Sequence, residues 1–79
     1  PMNDTFYMRQ ALAMARKAMR FEEVPVGAII VCDGAVIVQA HNLTRTTRDP
    51  TAHAERLVIQ RAAEILGDWR LTTCTLYCT

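Results

Sequence analysis

The 79 residues predict an α/β fold in the order helix, β-hairpin, helix, strand, and three observations carry that prediction. Two stretches place apolar residues near helical spacing, and an unbroken β-branched run lies between them. Asp33-Gly34 interrupts the apolar residues as a two-residue hairpin turn does.

Residues 4–20 predict the first helix. Asp4 is positioned to cap it, Phe6, Leu12 and Met19 form the apolar stripe, and Arg9, Arg16, Lys17 and Arg20 take the wet face. The helix ends at residues 22–25, because Pro25 biases Val24 toward extended backbone. Residues 26–31, Val-Gly-Ala-Ile-Ile-Val, read as a buried strand, and residues 35–40 return as its hairpin partner. The polar residues 41–49 predict no element. Residues 52–66 predict a second helix, capped by Asp49 or Thr51, with Pro50 near its first turn and Gly67 closing it. Leu57, Val58, Ala62, Ile65 and Leu66 are its apolar face. Residues 74–79 alternate as a strand, with the preceding helix as a right-handed crossover that leaves its two flanking strands parallel. That last strand is expected to keep an open edge.

Composition narrows the class. A hydrophobic content of 51% with 22% charged residues belongs to a globular chain and excludes a disordered one. A chain of this size buries only about 60% of its unfolded surface, so its stability is marginal without a partner or staple. The net charge of +1 does not by itself mark a nucleic-acid binder. Three cysteines, an odd count, without a basic and apolar leader, predict reduced thiols in a cytoplasmic protein. No apolar run is long enough to span a membrane. Pro1 ahead of Met2 reads as a cloning remnant.

Chemistry concentrates in Asp49-Pro50-Thr51-Ala52-His53-Ala54-Glu55. Positions i and i+2 lie about 200° apart around a helix, so His53 and Glu55 do not share a face. They serve one site only if it lies off the helix N-terminus, where unpaired N–H groups and the positive end of the dipole also point. A neutral imidazole there can bind a metal, and a carboxylate two residues on can move protons beside it. An isolated His-x-Glu at a helix start is more often just a polar first turn.

The surroundings raise its weight. Glu23-Val24-Pro25-Val26-Gly27-Ala28, His41-Asn42, the Asp49–Glu55 stretch, Trp69-Arg70-Leu71 and Cys74-Thr75-Leu76-Tyr77 resemble, in order and near spacing, the bacterial tRNA-specific adenosine deaminases. These belong to the cytidine deaminase-like superfamily, with its three-layer α/β/α fold. The resemblance implies that residues 1–79 are a partial zinc-dependent deaminase domain. His53 would be the one histidine ligand of Zn2+. Glu55, the catalytic residue, would take a proton from the attacking water, protonate the adenine ring and assist loss of ammonia. Asn42 would hydrogen-bond the flipped base, Val26 would line its pocket, and the Ala54 N–H would lie near the attacked carbon. The partners implied are a tRNA anticodon stem-loop and, for the complete enzyme, a second copy in a homodimer.

One departure bears on all of this. The family pattern continues with Leu-Glu-Pro-Cys-x-x-Cys, and two cysteine ligands of the zinc are absent from this sequence, so a complementary C-terminal half is implied. Cys74 and Cys78 cannot replace them. On a strand, residues four apart face one side but sit about 13 Å apart, whereas each zinc thiolate lies about 2.3 Å from the metal. Both read as strand packing, and Cys32 beside the hairpin turn reads as no ligand. The alternatives are a guanine or cytosine deaminase of the same superfamily, and a catalytically dead module that associates through its open strand.

Overall fold

A computed structural model describes residues 3–79, and the reading of Pro1 falls outside them. Asn3, not Asp4, caps the first helix, α1 (Asp4–Met19): its Oδ1 accepts from the Phe6 N–H at 3.0 Å. Asp4 instead supplies negative charge to the first turn, where the dipole favours it. The two central strands are β1 (Gly27–Cys32) and β2 (Ala35–His41). Between them Asp33 and Gly34 both take positive φ, 51° and 79°, as the predicted tight hairpin requires. The pairing slips between Ile30 and Val31, leaving Ile37 as an extra residue in β2.

The last strand, β3 (Cys74–Cys78), pairs antiparallel with β1, giving the order β2-β1-β3. Both outer strands therefore run the same way with β1 between them, as the crossover reading requires. Each also has a free side. Because β1 is central, all six of its residues are buried. Ile29 and Val31 pack with Tyr7 and Tyr77 beneath α1. Ala28, Ile30 and Cys32 face the opposite way, against the helix α3 (Ala54–Leu66) with its buried Ala54, Val58 and Ala62. Helix, sheet and helix make three layers, and burial on both faces explains why β1 reads as an unbroken apolar run.

Several expectations need correcting. The buried stripe of α1 is Tyr7, Ala11, Ala15 and Ala18, while Phe6, Leu12 and Met19 are exposed. Small side chains win there because α1 lies directly on the β1 backbone at Gly27. On α3, Ile65 and Leu66 are likewise exposed. That helix starts at Ala54, two residues later than predicted. Asp49 does not cap it but accepts from the Thr51 N–H at 2.8 Å and hydroxyl at 2.6 Å, closing the turn before it. Gly67 ends it in the left-handed region as expected (φ 68°). Residues 41–49 are not structureless: His41 ends β2, and α2 (Thr44–Thr47) forms one helical turn.

The cysteines depart from the expectation too. Register places Cys32 opposite Cys74, Cα atoms 4.1 Å apart, and the two are disulfide-bonded. An odd cysteine count cannot reveal a cross-strand pair, because pairing is set by tertiary register. Cys78 is the free one, packed against the α3 side of the sheet.

Candidate active site

What orders the segment ahead of α3 is a carboxylate far away in sequence. Glu23, 4% exposed, accepts from the Thr46 N–H and hydroxyl, both at 2.6 Å, from the Arg45 N–H at 3.1 Å, and from the Thr44 hydroxyl at 3.4 Å. It holds the open N-terminal end of α2. Burial pushes its carboxyl pKa up, but these hydrogen bonds outweigh it and hold the group below its usual value. A lowered folded-state pKa means stability that is present above the unfolded value, about 4.5, and lost as pH falls through the folded one. Glu23→Gln is therefore expected to lower the melting midpoint at pH 7 and to flatten the acid limb of the stability profile below about pH 4.5. Thermal melts from pH 3 to 7 check this; superimposable profiles would show that the clasp contributes nothing.

With α2 fixed, the backbone reaches Asn42 and His53 together. The Asn42 N–H donates to the Val26 carbonyl at 3.1 Å, extending the β1–β2 ladder, and the Leu43 N–H donates to the Ala52 carbonyl at 2.9 Å. Asn42, buried, turns its Oδ1 onto the Ala54 N–H at 2.8 Å. That bond supplies the cap α3 lacks locally, because His53 occupies the N-cap position and makes no side-chain cap bond. The His53 side chain is exposed and unspent on its own helix. Beside these, His41 is buried, its Nδ1 2.9 Å from the Asn42 carbonyl and its ring stacked on Phe21 at 5.5 Å.

All five residues singled out in sequence thus meet at one end of the sheet: Val26 and Asn42 through the ladder, Asn42 and Ala54 through the cap, and His53 and Glu55 on either side of Ala54. The Ala54 N–H already has a partner in Asn42, whose amide nitrogen makes no hydrogen bond among the described residues and remains to offer a ligand. Glu55 carries the most telling feature. Its Oε1 is buried and has no hydrogen-bond partner among the described residues. A buried carboxylate oxygen left unpaired is costly and calls for an explanation in function.

The charge of Glu55 is felt at Cys78. Burial first, and the Glu55 charge second, push the Cys78 thiol above its usual pKa. Metals are held by thiolates, so a raised thiol is a poor ligand, and Cys74 is committed to Cys32. Among the described residues no three His, Cys, Asp or Glu side chains are placed to hold a metal. The exposed His53 ring fits one ligand of a set that needs others. Sequence reasoning missed Glu23 as the clasp of α2. A glutamate before Val-Pro carries no local sign of burial.

A helix-start histidine and a half-buried glutamate with one unpaired oxygen, on a sheet between two helices, are the arrangement of a deaminase-type metal domain. The chain belongs to the family described as the cytidine and deoxycytidylate deaminase zinc-binding region, whose model matches residues 1–79. It is 49% identical over 76 residues to the tRNA-specific adenosine deaminase of Bacillus subtilis, covering 96% of this chain and 47% of that protein. A match to the chloroplastic tRNA(adenine(34)) deaminase of Arabidopsis thaliana is 47% identical, over 96% of this chain and 6% of that one. Among solved structures, the guanine deaminase from Bacillus subtilis superposes with a TM-score of 0.93 at 38% identity, covering 98% of this chain and 50% of that chain. A structure from a study of A-to-I editing by tRNA:A34 deaminases gives 0.90 at 49% identity, covering 95% of this chain and 54% of that one. The chain spans about half the length of the bacterial relatives it matches.

Proposed function

We propose that this chain is one portion of a zinc-dependent tRNA adenosine deaminase, which hydrolyses adenosine to inosine and ammonia at the wobble position of the anticodon. The unpaired Glu55 Oε1 carries the reading. As the proton carrier it takes one proton from the attacking water and passes it to the adenine ring nitrogen, then carries a second, from the hydroxyl of the tetrahedral adduct, to the amino group that leaves as ammonia. His53 is the histidine ligand of the zinc, and two cysteine ligands come from a C-terminal half outside these 79 residues. When bound, such a metal activates water for attack at near-neutral pH. Asn42, through its free amide nitrogen, and Val26, through its side chain, hold the base, and the Ala54 N–H, kept in place by Asn42, fixes the start of α3 beneath it.

The partner is a tRNA anticodon stem-loop and the active form a homodimer. The compartment is the cytoplasm. Among the described residues no helix is long and apolar enough to cross a membrane. The likeness to the guanine deaminase of Bacillus subtilis supports a second reading, a deaminase acting on the free base.

The decisive experiment compares the chain alone with the chain completed by the part of the Bacillus subtilis adenosine deaminase that it does not match. Alone it is expected to hold well under one zinc, because one histidine does not make the usual three-ligand site. Completed, it is expected to bind about one zinc per chain and form inosine in an anticodon stem-loop. Stoichiometric, chelator-resistant zinc in the lone chain would overturn the split-ligand reading. Guanine deamination without inosine formation would move the function to the second reading.

A further inference from the structure

Beyond the catalytic end of the sheet, α1 concentrates positive charge. Four of the nine basic residues, Arg9, Arg16, Lys17 and Arg20, lie at residues 4–20, and Asp4 is the one acid there. The charge of the chain is therefore segregated although its net value is only +1. Three of those cations converge. Arg16, Lys17 and Arg20, with Gln10, Ala13 and Gln39 among their neighbours, surround a concavity of about 510 Å³ between α1 and the edge strand β2.

Basic residues in a last helical turn have an ordinary explanation, since they complement the negative end of the helix dipole. Two observations go further. No acidic side chain lines the concavity, and among the described residues the ion pairs are confined to Arg70 with Asp68. Three cations are thus held around one hollow with no anion of the protein to neutralise them. The two glutamines add neutral side chains able to donate to oxygen. Gln39 precedes Asn42 by three residues, about 10 Å of strand, so the hollow lies toward the catalytic end of β2, on the α1 face of the sheet and across it from α3.

We propose that this groove binds phosphate groups of the RNA backbone beside the nucleotide being deaminated. The inference rests on the reading of the substrate as RNA. Arginine meets phosphate oxygens through a fork of N–H donors, and lysine acts as a point charge. Contacts of this kind position a nucleic acid without reading its sequence.

The test is a triple variant of the completed enzyme, Arg16→Gln with Lys17→Gln and Arg20→Gln, which keeps similar helix propensity. Its binding to the anticodon stem-loop is measured by fluorescence anisotropy from 50 to 200 mM salt, with helicity checked by circular dichroism. Each lost phosphate contact removes about 0.7–0.9 from the slope of log K against log salt. The expected result is at least roughly tenfold weaker binding at 100 mM salt, with a slope shallower by about 2. A control that removes cations outside the groove, Arg61→Gln with Arg70→Gln, should leave affinity within about threefold.

Unchanged affinity and slope in a folded triple variant would overturn the inference, whether or not inosine forms. Lost binding to vesicles of anionic lipid with RNA binding intact would overturn it in favour of a membrane surface. Failure of the parent enzyme to make inosine would count against the tRNA deaminase reading alone, and the groove would still be judged by its salt slope.

Discussion

Glu55→Ala is expected to leave zinc in the completed enzyme and abolish deamination, whereas His53→Ala is expected to lose both. The two residues differ in what their atoms are free to do. His53 stands at the N-cap of α3 with an exposed ring that makes no cap bond, so a nitrogen lone pair is available to a metal. Glu55 has a buried oxygen aimed at no protein donor, which suits a group that exchanges protons with a bound water and substrate. A positioned general acid–base is worth about 10²–10⁴ in rate, and a single carboxylate that serves several proton transfers belongs at the upper end. Glu55→Ala and Glu55→Gln should each reduce inosine formation by at least about 10³-fold with zinc content unchanged. Metal analysis beside single-turnover assays measures both. Release of zinc by Glu55→Ala would reverse the assignments of ligand and proton carrier.

The sequence disclosed this site further than it disclosed the packing, and the reason is physical. His53, Ala54 and Glu55 are adjacent, and Gly67 and Asp33-Gly34 mark their boundaries by local backbone chemistry, so a linear reading finds them. The cap of α3 comes instead from Asn42, 12 residues upstream. The clasp of α2 comes from Glu23, more than 20 residues away. No local pattern announces a cap delivered through a sheet. The same holds for Cys32 and Cys74, 42 residues apart and opposed only once β1 and β3 are paired. On α1 the sequence misled in a specific way. Phe6, Leu12 and Met19 have the hydrophobicity, but the interface selects for closeness of approach, and alanines satisfy that.

Gly27→Ala should therefore be among the most damaging single-methyl changes in this chain. An added Cβ at Gly27 would meet the backbone oxygen of Ala11 well inside 3.0 Å and would lie 2.5 Å from the Ala15 nitrogen and 2.8 Å from the Met14 Cβ. The first two atoms are helix backbone and cannot rotate aside, so α1 must lift from the sheet. Overpacking of this kind costs about 1–3 kcal/mol and sometimes more. Lifting α1 also loosens the cluster of Tyr7, Ile29, Val31 and Tyr77 beneath it. In a domain of 60–100 residues each kcal/mol moves the melting midpoint by about 4–8 °C, so a fall of roughly 10 °C or more is expected. Trp69 is 81% exposed and would not report the change. The near-ultraviolet dichroism of Tyr7 and Tyr77, with ring centroids 5.3 Å apart, would. Gly34→Ala is the informative comparison. Nothing lies within 4 Å of a Cβ at Gly34, and its cost is confined to the positive φ of 79°, about 1–2 kcal/mol. It should lower the midpoint while leaving the tyrosine signal intact. A Gly27→Ala protein that keeps both its midpoint and that signal would mean that α1 does not rest on the β1 backbone. The approach of helix to sheet at Gly27 would then have to be redrawn.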